Sequence, residues 1–217
     1  SAAKRDYEKD MQEVIESLSK LMDISPTKER YSLIGSAYKR KSAICKKRED
    51  IIEALHQAAT FYYKAYEKDP DEGLYPMINW IQIEYFLVAI GEHKWNSKSK
   101  NEAYKLPSLK NIKASFEKSI ENLNQKMLLQ SYDYYDVVGR ANASLCVWLL
   151  KNAPKGNDLQ SLIKAYNRVW EFVGSKNKKM AEIEQIDILL HCCALLPDKK
   201  VYKSIVYVKE ELMKSIK

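Results

Sequence analysis

The stretch LYPMINWIQIEYFLVAIGE, residues 74–92, is the most apolar part of the chain, yet it carries Asn79, Gln82 and Glu84. Its apolar residues do not keep to one face of a helix. A segment of that kind is buried by a membrane, by an active site or by other helices. A bilayer-spanning helix needs about 20 apolar residues. The uncharged run here is far shorter, and Glu84 interrupts it, so a membrane is the poor answer.

The rest of the chain bounds the choice between the other two. It has 217 residues, 46% of them apolar, with only six glycines and six prolines. A β-sandwich or barrel needs turn residues roughly every 8–12 positions, so this composition favours helices. An amphipathic helix reads over about 4–22, and further helices from 27 and over about 50–68, 75–90, 106–125, 131–151, 158–173, 177–196 and 198–215. The reading is all-α with about nine helices. Ser25-Pro26 is a stop and restart, with Ser25 able to cap the second helix. Residues 93–107 read as a long polar loop.

A degenerate repeat runs through these helices. Ala58, Tyr62, Ala65 and Pro70 have the spacing of the second helix of a tetratricopeptide repeat, and Tyr31, Ile34, Gly35 and Tyr38 that of the first. Gly35 is expected where the neighbouring helix crosses closely, with Tyr62 filling the gap. Weaker copies fall at Tyr75, Ile78, Asn79 and Gln82, and at Tyr135, Val138, Gly139 and Asn142. Their partner positions are Ile112, Phe116 and Ser119, then Leu162, Tyr166 and Val169. The expected fold is a right-handed α-α superhelix of helix pairs. Residues 1–24 form an N-terminal helix, 25–196 the repeat domain and 197–217 a capping helix. An internal helix of such an array is sandwiched on both sides, which explains residues 74–92. Glu84 is then at an edge or paired, because an unpaired buried carboxylate is costly.

ERYSLIGSAYKR (29–40), LYPMINWIQIEYFLVAIGE (74–92) and SYDYYDVVGRANASLCV (131–147) together resemble the TRAFs-binding domain, most specifically at Tyr75-Pro76-Met77-Ile78-Asn79. That family is a tetratricopeptide-like module found in apoptosis signal-regulating kinases and in bacterial proteins. The resemblance implies the helical-pair fold and a signalling or scaffolding context. The chain departs from the pattern at Met77, where a glycine is expected.

The charge is +7, with lysine clusters at 39–41, 46–48, 176–179 and 199–200 among 29 acidic residues. Such clusters serve a solvated surface, or a nucleic-acid site if they converge on one face. No phosphate-binding, dinucleotide, nucleophile-elbow or zinc-helix motif is present. His191-Cys192-Cys193 lie about 100° apart on an apolar helix and read as packing. His56 reads as a polar rim position and His93 as a loop residue. Asp133 and Asp136, one turn apart, either hold a cation or complement a helix dipole. The four cysteines, with no C-x-x-C pair, suit reduced thiols in the cytoplasm. The opening SAAKRDYEKD shows no secretory signal.

The expected function is a non-catalytic protein-interaction or regulatory scaffold with no cofactor or metal, its partner a protein or peptide. The alternatives are a nucleic-acid-binding helical repeat, or an enzyme with an unrecognised metal site. Candidate partner-binding residues on the concave face are Ser36, Lys39, Arg40, Trp80, Ile83, Asp136 and Arg140.

Overall fold

The computed structural model describes residues 6–129, 134–154, 156–173 and 175–216. Among them nine α-helices follow one another: α1 (Tyr7–Ile24), α2 (Lys28–Ile44), α3 (Arg48–Lys68), α4 (Leu74–Ala89), α5 (Leu109–Leu128), α6 (Tyr134–Leu150), α7 (Asn157–Val173), α8 (Lys176–Cys193) and α9 (Lys200–Met213). Among the described residues the one β-feature is an isolated bridge between Lys98 and Lys105. No described helix is long and apolar enough to cross a membrane.

Helix ends follow local chemistry. Pro26 disfavours a helical residue before it, and Ser25 is extended, closing α1 with its N–H on the Leu21 carbonyl. The cap of α2 is therefore Thr27 and not Ser25, with its hydroxyl accepting from the Arg30 N–H at 3.3 Å. Gly91 ends α4 with φ of +87°, a left-handed conformation that costs glycine little. The backbone then turns back, and the Glu92 N–H donates to the Leu87 carbonyl at 3.0 Å.

The repeat reading holds at its tightest points. A Cβ on Gly35 would stand 3.0 Å from the Tyr62 ring, so α2 and α3 cross with no room for a methyl group. The three aromatics predicted at equivalent second-helix positions, Tyr62, Phe116 and Tyr166, are among the largest fully buried side chains. Their first-helix counterparts Ile34, Ile78 and Val138 are buried as well. α4 packs on α3 and on α6, and residues Pro76 to Glu84 of the opening stretch are all buried. Burying each Leu- or Ile-sized side chain contributes about 1.5–3 kcal/mol, so α4 is the keystone of the core.

The array closes on itself. α1 packs on α2, α5 on α6, α6 on α7 and α7 on α9; α8 packs on α9 and also on α2. The last first-helix thus reaches the earliest one, and the inner face of the superhelix is covered. Residues 93–107 are also more than a polar loop. Tyr104 and Leu106 are buried; backbone bonds from Ser99 N–H to Tyr104 O (2.9 Å) and Leu106 N–H to Ser97 O (2.8 Å) close the segment on itself, and the Tyr104 ring packs on Tyr63 of α3 and Trp80 of α4.

Candidate functional site

Three places gather chemically active side chains. The innermost lies where α2, α4, α6 and α8 meet. Lys39 Nζ donates to Asn79 Oδ1 and to Gln185 Oε1, both at 2.8 Å. Asn142 Nδ2 donates to Glu182 Oε2 at 3.0 Å, and the Tyr166 hydroxyl donates to Asn142 Oδ1. Burial lowers the Lys39 pKa to about 8 and raises that of Glu182. Charged groups out of water need partners. Here each has hydrogen-bonding partners on helices distant in sequence, so the network fixes α8 against the array without an open cavity.

The second cluster pins the loop. Glu84 is fully buried and accepts from the Tyr104 hydroxyl while pairing with His93 Nε2. The His56 ring lies tilted beside that of His93, with centroids 5.7 Å apart, and its Nε2 lies 3.1 Å from Glu92 Oε2. Glu84 is thus paired, and His56 is a buried residue and not a rim position. Burial holds the His56 pKa below its ordinary value. Among the described residues no three His, Cys, Asp or Glu side chains are grouped to hold a metal ion.

The third is a cleft of about 440 Å³ between α6 and α7. Ala141 and Ala165, one from each helix, are among its lining residues, and small side chains there leave space. Val137 and Val169 wall it, Ser144 and Ser161 are in its lining, and Arg140, Lys164 and Arg168 bring three positive charges to it. All three cations are exposed, and none forms an ion pair among the described residues. No aromatic or acidic side chain lines the cleft.

The predicted binding residues divide sharply. Lys39, Trp80 and Ile83 are buried, and Trp80 lines only a small hollow of about 170 Å³ with Tyr66, Met77 and Ile112. The reason is tertiary: α8 covers Lys39, and Trp80 sits among the rings of Tyr63 (4.9 Å), Tyr66 (5.8 Å) and Tyr104 (5.5 Å). Ser36 and Arg40 remain at the surface and bond to one another. Asp136 is half-buried, 4.0 Å from Lys126 Nζ. Arg140 alone among the candidates lines the cleft. Lys164, Arg168, Ser144 and Ser161 escaped sequence reading; the alanines beside an i, i+4 basic pair were the available signal.

In two of the basic clusters the side chains take separate partners. In 39–41, Lys39 points inward, Arg40 to Ser36, and Lys41 to Gln12 at 2.9 Å. Lys178 lies over the Tyr134 ring and Lys179 over that of Trp170. Cys45, Cys146, Cys192 and Cys193 are buried free thiols, and burial pushes Cys192 and Cys193 up to about 12, leaving them protonated at neutral pH. Asp133, the partner proposed for Asp136, lies outside the described residues.

Comparison with known proteins gives one match. The family model described as Tetratricopeptide Repeats-Sensor matches residues 1–84, which span α1 to α3 and most of α4. The chain is similar to that family there, and the similarity supports a tetratricopeptide-like helical module of the kind that generally mediates protein–protein interaction. No curated protein and no solved structure matches the chain.

Proposed function

We propose that the chain is a non-catalytic docking and regulatory module for a protein partner, acting in a cytoplasmic signalling context of the TRAFs-binding type. The observation that carries the reading is on α1. Val14 and Leu21, one heptad apart, and Ile24, one turn on, are 48%, 43% and 77% exposed. Apolar side chains left at the surface along one helix are what a partner helix or another domain covers. The inner face, by contrast, is occupied by α8, so docking uses the outside of the array. The word "sensor" in the matched family's description agrees with a regulatory role.

The test is cross-linking of the tagged full chain in its source cells, beside a Val14→Glu, Leu21→Glu variant. One protein recovered in comparable molar amount, and lost with the variant, is the expected result. Recovery of nucleic acid alone, or consumption of a small molecule by the purified chain, would overturn the reading.

A further inference from the structure

We infer that the cleft between α6 and α7 is a receptor for a phosphoryl group carried on an extended segment of the protein partner. The inference rests on the docking reading above and adds the chemistry that the partner must present. Three cations that share one cleft repel each other, and no carboxylate among the lining residues offsets them. A carboxylate would neutralise one. A phosphorylated side chain brings close to two negative charges and three acceptor oxygens, enough to engage Arg140, Lys164 and Arg168 together. Ser161 brings a hydroxyl donor to the same cleft, while the Ser144 hydroxyl donates to the Arg140 carbonyl at 3.0 Å.

Shape and lining select the source of that phosphate. The cleft, about 440 Å³, has room beyond the phosphate for the residues beside it. Val137, Ala141, Ala165 and Val169 offer aliphatic contact to a peptide. A nucleotide or single-stranded nucleic acid would want an aromatic face for its base, and none lines this site.

The test uses the full chain and a degenerate peptide library with a fixed phosphoserine or phosphothreonine, against the same library unphosphorylated. Binding is read by fluorescence anisotropy, with inorganic phosphate and AMP as competitors. Selected phosphopeptides are expected to bind at least about tenfold tighter than their unphosphorylated forms, since each charge-assisted bond contributes on the order of a tenfold factor. Arg140→Ala with Arg168→Ala removes that preference. The charge-matched pair Lys110→Ala with Lys113→Ala, on α5, leaves it intact. Circular dichroism checks each fold, and Lys164→Gln, expected to weaken the preference, stands in if the arginine pair does not fold. Equal binding of unphosphorylated peptides, competition by phosphate or AMP as strong as by the phosphopeptide, or unchanged binding by the cleft variants would each overturn the assignment. Loss of the α1 cross-link in the preceding experiment tests the docking reading separately, because Val14 and Leu21 are not part of the cleft.

Discussion

Lys39 on α2 and Gln185 on α8 are joined by a hydrogen bond of 2.8 Å across 146 residues of sequence. This contact brings the last first-helix of the array onto the earliest and closes the inner face. It also holds a lysine amine away from water, which makes the closure sensitive to pH.

Burial holds the folded-state pKa of Lys39 at about 8, against an ordinary 10.5. Between those values the unfolded chain binds a proton that the folded chain lacks, so raising the pH favours folding. Relative to Lys39→Met, the wild-type chain is expected to gain about 1–2 kcal/mol between roughly pH 7.5 and 9.5. Urea unfolding of both proteins at the two pH values measures it. A constant difference would mean that Lys39 titrates normally.

Glu182 has the opposite dependence. Burial raises its pKa, outweighing the Asn142 hydrogen bond and the Lys39 charge, which pull it down. The folded chain then binds this proton more readily than the unfolded one, so the contribution is fullest below the ordinary value and is lost as pH rises through the folded value. Wild type should therefore compare better with Glu182→Gln near pH 4 than at neutral pH. Chemical denaturation at both conditions checks the sign, and a gap that widens toward acid in favour of the variant would contradict it.

Gly35→Ala should destabilise. In an ordinary helix interior the change adds about 0.5–1 kcal/mol. Here the new methyl group would meet the Tyr62 ring at 3.0 Å, and Tyr62 is itself fully packed. A loss of about 1–3 kcal/mol is expected from overpacking. A stabilised variant would show that α2 and α3 do not cross this closely.

Tyr104→Phe removes a hydroxyl that donates to the buried Glu84. Leaving a carboxylate short of a donor costs about 1–3 kcal/mol. The loss should localise, with faster amide exchange at Ser99 and Leu106, whose N–H groups bond within the loop. Unchanged exchange there would place the loop's anchor elsewhere.

The repeat was legible because its signals are local. Gly35 with Tyr62, and the equivalent Phe116 and Tyr166, follow from spacing along single helices, and helix periodicity placed the elements within a few residues. The candidate site was legible only at Arg140. Trp80 carries no local mark distinguishing a groove aromatic from a stacked core one, and Glu84 carries none naming His93 and Tyr104 as its partners.

Sequence alone therefore determined the helices, the pairing of α2 with α3 and the tight crossing at Gly35, since each depends on contacts between near neighbours in the chain. Tertiary structure alone decided that α8 covers the inner face, that Lys39 is buried, and that Arg140, Lys164 and Arg168 share one cleft. The physical reason is that small angular offsets between successive helix pairs accumulate along the array. Only their sum fixes which distant side chains meet, and no local pattern of residues carries that sum.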